Sequence, residues 1–254
     1  MTAVAVRSPA VPTPRLPADR LAPPAPAPAP PPTGRPAAYQ QVLHRLVRRE
    51  LRTLADLTAW APDGECARTG LLTCHAGLLA RVLLHHHAVE RDALWPALLR
   101  RVPDAERPAA EAAVAAWTVA CTGIDAALRD LDTTARQWAV AGSGRARSAF
   151  ALACRRVADA VDAQTAEEER TLLPLLDAHL ADADWAAVIR TARCGLSARQ
   201  RLLVLGLALE DCCAGERTRV LHGLPRGTRL AWRLRGGGRY RAAVVRLRGA
   251  PPAR

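Results

Sequence analysis

The sequence predicts an all-α fold: an antiparallel up-down-up-down four-helix bundle with a helical C-terminal extension and a disordered N-terminal arm. Three observations carry this. Half of the residues are apolar, but with one Phe and two Tyr the core must come from Ala and Leu, which favour helix, and not from the aromatic and β-branched runs of sheets. Apolar residues recur three and four positions apart over four long stretches. Short connections bearing Gly or Pro join those stretches, as between antiparallel neighbours.

Residues 1–36 ("APPAPAPAPPPTGRP" at their end) are too rich in proline for a helix and read as a disordered, partly polyproline-II arm. The bundle occupies 37–181. Its first helix runs from about Tyr39 to Trp60 and stops at "APDGE". The second runs from Thr69 to Arg101, crossing Pro96 with an expected kink. Asp104 is the expected N-cap of the third, which reaches Val140 and ends at "AGSGR". The fourth spans Arg145 to Leu180, with Pro174 near its end. An Arg-rich extension, 182–254, follows as shorter helices. Its last segment, "RGTRLAWRLRGGGRYRAAVVRLRG", reads either as a broken helix pair or as a hairpin around the three glycines.

The formal charge of +12 comes entirely from Arg, since the chain contains no Lys, and it contains no Asn either. With abundant Ala, Pro and Gly, that pattern resembles the codon bias of a GC-rich genome, so bulk charge is poor evidence for nucleic-acid binding. Seven cysteines without C-x-x-C or zinc-finger spacing point to reduced thiols, not a disulfide framework. The longest apolar run, "LLVLGLAL", is too short to span a bilayer, and the first residues lack the layout of a secretion signal. The expectation is a soluble cytoplasmic protein without a membrane span. No nucleophile–base pair and no cofactor loop is visible, which disfavours an enzyme.

Each helical seam carries one polar or sulfur-bearing group near its middle. They are His44 on the first, His86 with Glu90 on the second, Cys121 on the third, and Gln164 with Glu168 on the fourth. At about 1.5 Å of rise per residue, counting from shared turns compares their heights. His44 lies 16 residues before the first turn and His86 17 after it; the corresponding counts are 15 and 17 for His86 and Cys121, and 19 and 19 for Cys121 and Gln164. Four inward groups therefore converge on one level, with Glu90 and Glu168 one turn beyond it on the same side. Inward carboxylates and imidazoles on facing helices are how such bundles hold metals, and a cation offsets the several kcal/mol needed to bury each carboxylate. Four strong ligands suffice for one iron, manganese or zinc ion.

A blander reading stands beside each assignment. His86 and Glu90 could share a buried hydrogen bond, and Cys121 could be a small core residue. His85 and His87 point about 100° to either side; both read as packing or surface groups, with His87 a reserve ligand. His75 reads as structural, and His179 and His222 as surface residues. In "EEE" at 167–169 only Glu168 faces in. Cys212 and Cys213 receive no function.

The stretches "HRLVRREL" from His44, "HHAVERDALWPAL" from His86 and "QTAEEERTLLPLL" from Gln164 resemble the hemerythrin-like (HHE cation-binding) family over residues 39 to about 180. In the last two, a glutamate follows four residues after the first position and a proline ten after. The resemblance implies a His from the first helix, H-x-x-x-E from the second, a His from the third and H-x-x-x-E from the fourth. His44, His86, Glu90 and Glu168 match; Cys121 and Gln164 stand where the family has histidines. It further implies non-haem iron, mono- or dinuclear, or another divalent metal, with dioxygen or nitric oxide as small ligand, or a role in iron handling. The rival is a metal-free bundle acting as a regulatory or interaction module.

The tail has no acid after Glu216 but eleven arginines. Trp232 and Tyr240 could stack on bases or enter a lipid headgroup layer while the arginines meet an anionic partner. The preferred reading is a docked helical appendage, with Leu230, Leu234, Tyr240, Val244 and Leu247 as its packing stripe.

Overall fold

A computed structural model of the chain describes residues 35–191 and 195–249; of the arm expected over 1–36, residues 1–34 lie outside them, and Arg35 and Pro36 belong instead to a helix. The described residues are helical, with no strand among them. Four long helices dominate: α1 (Arg35–Ala59), α2 (Cys66–Val89), α4 (Arg107–Ala141) and α5 (Gly144–Thr171), with the short α3 (Trp95–Leu99) following α2. α1 packs on α2 and α5, and α4 packs on α2 and α5, so each long helix has two long neighbours. α6 (Leu173–His179) continues beyond α5, and α7 (Asp182–Thr191) follows it. The extension comprises α8 (Ala198–Glu210), α9 (Ala214–Gly223), α10 (Arg226–Ala231) and α11 (Gly237–Arg248).

Helix ends follow local chemistry, with several departures from the sequence reading. α1 begins at Arg35, not Tyr39, because Pro36 sits in the first turn, where its missing N–H would have no partner anyway. Asp104 does not cap α4. Glu106 occupies the N-cap, and Asp104 instead accepts from the Arg107 guanidinium at 3.1 Å. α4 ends at Gly142, whose φ of 60° suits a residue without Cβ. Ser143 then caps α5 by accepting from the Ala146 N–H.

The two prolines are absorbed in different ways. Between α2 and α3, Glu90–Leu94 forms one wide π-helical turn, in which the Trp95 N–H donates to the Glu90 carbonyl. The wider turn leaves room for Pro96, which cannot donate and whose ring crowds the preceding turn. At Pro174 the fourth stretch breaks instead, at Leu172, so α5 and α6 are separate helices. In the extension the three glycines form no hairpin: a second π turn, Trp232–Gly236, joins α10 to α11.

Two apolar clusters form the core. One contains Leu46, Val47, Leu83, Ile124, Val161 and the docked extension residues Leu207, Tyr240, Val244 and Leu247. The other contains Leu94, Trp95, Trp117, Cys121, Leu172 and Val188. Leu230 and Leu234, expected to pack, are exposed. α4 is the one described helix whose length and composition would allow it to cross a bilayer, yet its Trp117, Ile124, Leu128 and Leu131 are buried in these clusters.

Candidate metal centre

The two clusters are separated by a buried polar layer. On α1, Gln40 and His44 fall between Ala37 of one cluster and Leu46 of the other; on α2, His86, His87 and Glu90 fall between Leu83 and Leu94. On α5, Gln164, Thr165 and Glu168 separate Val161 from Leu172. On α4 the boundary passes between Cys121 and Ile124. A polar layer through a core sacrifices apolar burial, and its members must find partners or lose stability.

Helical spacing builds the layer. His86 and Glu90 are one turn apart at the end of α2, and the His86 Nε2 lies 3.3 Å from the Glu90 Oε1. The His44 and His86 rings meet edge to face at 5.7 Å. One ligand atom each from His44, His86 and Glu90 lies within 4.8 Å of the other two. Glu168 reaches in from α5, its Oε1 3.3 Å from the His44 Nε2, while its Oε2 accepts from the Gln164 amide at 2.7 Å. Cys121 is buried on α4, close enough to Glu90 and Glu168 to feel both charges.

Several partners were not anticipated. Gln40, one turn before His44, donates to the Glu90 Oε1; extending the His44, Val47, Leu51 stripe backwards by four would have found it. Glu169 is not solvated as expected: its Oε1 lies 3.0 Å from the His44 Nδ1 and 3.1 Å from an Arg48 guanidinium nitrogen. His87 is buried, with its Nδ1 3.2 Å from the Asp125 Oδ1 and its Nε2 without a hydrogen-bond partner. His75 meets Glu50 at 3.0 Å outside this layer, and His179 meets Glu106 at 3.2 Å.

The electrostatics are those of a buried set of opposed charges. Burial opposes the charged form of His44, but Glu168 and Glu169 outweigh it and raise its pKa to about 9. Burial would raise Glu168; the His44 and His86 rings hold it near 2 instead. Burial, then the charge of Glu168, pushes Glu90 well up, and burial drives His86 well down. Without a cation the layer therefore favours the charged forms of His44 and Glu168 and the neutral forms of Glu90 and His86. The Cys121 thiol is pushed up by burial and then by the two glutamates, so it rests as a neutral thiol.

These residues fit a metal. Among the described residues, the buried His44 Nε2, Glu168 Oε1 and Glu90 Oε2 complete no hydrogen bond of normal geometry, and the first two meet as an ion pair at 3.3 Å. Imidazole and carboxylate groups gathered in one buried layer, only loosely satisfied by one another, are an arrangement a cation would complete. Two imidazoles and two carboxylates suit a borderline divalent ion such as iron, manganese or zinc. The pairing of His87 with Asp125 has the form of a ring fixed by a carboxylate, as on many metal-binding histidines.

No curated protein and no solved structure matches the chain significantly. The family model for the hemerythrin HHE cation binding domain matches residues 39–176, which takes in most of α1, all of α2 to α5 and every residue of the buried polar layer, and the chain therefore belongs to the hemerythrin HHE family.

Proposed function

We propose that this protein is a non-catalytic hemerythrin-like metal-binding protein. Its four long helices form an antiparallel up-down-up-down bundle around one non-haem iron, held by His44, His86, Glu90 and Glu168. The observation that carries this is the buried group of His44, His86 and Glu90, one ligand atom of each within 4.8 Å of the others, with the Glu168 Oε1 3.3 Å from the His44 Nε2. A bound iron would supply open coordination positions and a one-electron couple, suiting dioxygen or nitric oxide handling, or the sensing of iron itself. Arg48 and Glu169 fix the Nδ1 side of His44, leaving its Nε2 turned toward Glu168. Gln40 and Gln164 each hold one carboxylate oxygen, of Glu90 and Glu168 respectively. Leu94, Trp95, Trp117 and Leu172 close the layer from water on one side.

Elemental analysis of the full chain, loaded anaerobically with ferrous iron, tests this beside Glu168→Ala and His86→Ala. One iron per chain, lost in both variants, is the expected result. Two irons would mean that Cys121 and Gln164 are tolerated in a dinuclear site. The replacement of two family histidines by Cys121 and Gln164 favours a second reading: a metal-free bundle serving as a regulatory or interaction module. Absence of retained metal, with melting unchanged by chelator, would establish that reading and remove the first.

A further inference from the structure

The C-terminal helical segment is apolar on two faces. Gly236, Tyr240, Val244 and Leu247 are buried. They pack toward α8, where Tyr240 crosses so close to Gly206 that a Cβ there would meet its ring. Leu230, Leu234 and Val245 point the other way and are 58%, 71% and 44% exposed. Leu230 and Leu234 are one turn apart, and Leu234 and Val245 are eleven residues apart, close to three turns, so the three lie along one outer stripe. Arg226, Arg233, Arg235, Arg239, Arg241 and Arg246 surround that stripe with exposed side chains and make no ion pair among the described residues. Arg248 turns inward, to Glu50 and Glu210, and the half-buried Arg229 donates to the His222 carbonyl.

We infer that this outer face docks on an anionic lipid bilayer, with the aliphatic stripe entering the headgroup layer and the arginines meeting lipid phosphates. A helix lies in a membrane interface when an apolar stripe is bordered by cations, and each such cation near an anionic leaflet strengthens the attachment. Other occupants fit less well. A nucleic acid would use the arginines, but Tyr240 is buried and Trp232 packs beside it at 6.2 Å, so neither ring is presented for base stacking. The aliphatic stripe would find nothing apolar along a phosphate backbone. A second copy of this face would bring arginines against arginines. The inference does not depend on the metal centre, which uses none of these residues.

Co-sedimentation of the full chain with vesicles tests it. One set is pure phosphatidylcholine; the other has equal parts phosphatidylcholine and phosphatidylglycerol. The expected result is binding to the anionic vesicles only, falling steeply with added salt. The pair Leu230→Gln with Leu234→Gln should weaken that binding at least about tenfold, because two leucines no longer leave water. The triple variant Arg226→Gln, Arg233→Gln, Arg241→Gln should abolish the preference for anionic vesicles. All these positions are exposed, so circular dichroism and melting should match the wild type. No sedimentation with either vesicle, or equal sedimentation with both, would overturn the inference. So would duplex DNA binding that outcompetes vesicles and ignores the leucine variants.

Discussion

Cys121 and Gln164 stand at the two positions where the sequence resemblance would place histidines, and both side chains are buried beside the glutamates of the polar layer. Replacing both by histidine should raise iron retention from one to two per chain, measured by elemental analysis with protein quantified independently. An unchanged value of one would mean that ligand identity is not what limits the site. His44, His86, Glu90 and Glu168 are buried as their seam positions indicated, because i, i+4 spacing on an apolar seam places side chains inward without knowledge of their neighbours. The sequence did not reveal Gln40, Glu169 or the His87–Asp125 pair. Those depend on how far each helix turns about its own axis, and a rotation of a few tens of degrees decides whether a flanking residue is solvated or held.

At the level of elements, α8 and α11 meet through Gly206 and Tyr240. A Cβ at position 206 would lie 2.4 Å from the Tyr240 ring. Gly206→Ala should therefore destabilise the docked extension by about 1–3 kcal/mol, through the overpacking seen when close contacts are overfilled. Thermal melting would detect it, and an unchanged midpoint would show that the tyrosine can step aside. Helix existence was legible from the 3.6-residue rhythm, whereas helix endings were less so. Pro96 and Pro174 sit at the same distance from His86 and Gln164, yet one is absorbed in a π turn and the other by a break. Proline states that a normal turn fails; which alternative forms depends on packing against other helices. Leu230 and Leu234 show the same limit from the apolar side, since their rhythm with Tyr240 is disturbed by the π turn at Trp232–Gly236.

Across the whole molecule, a second buried charge network ties the extension to the bundle. Glu50 of α1 is fully buried and meets His75 of α2 at 3.0 Å, with Arg49 and Arg248 also against it. Arg248 also meets Glu210 at 2.6 Å, and Glu210 accepts from the Tyr240 hydroxyl at 2.6 Å. Burial alone would raise the Glu50 pKa, but His75, Arg248 and Arg49 bring it down from 4.5 to about 2. A depressed carboxylate contributes stability that is complete above its unfolded pKa and is lost as pH falls through the folded one. Acid titration between pH 4.5 and about 2 should thus release the extension, losing on the order of 3 kcal/mol. Tryptophan fluorescence would follow this, since Trp232 packs beside Tyr240. The pH-dependent step should vanish in Glu50→Gln, and its persistence there would assign it to another group.

Glu50 and Arg248 stand 198 positions apart in the chain, and that separation bears on how the protein is made. During synthesis α1 leaves the ribosome long before α11, so Glu50 must remain hydrated while the helices around it assemble. The bundle can close early from contacts between successive helices, but the last dehydration of α1 waits for nearly the whole chain. Such a long-range contact carries a large loop-closure cost and belongs to the slow end of folding. A translation product stalled before Arg248 would keep Glu50 hydrated on α1 and the surface around it open to chaperones and proteases.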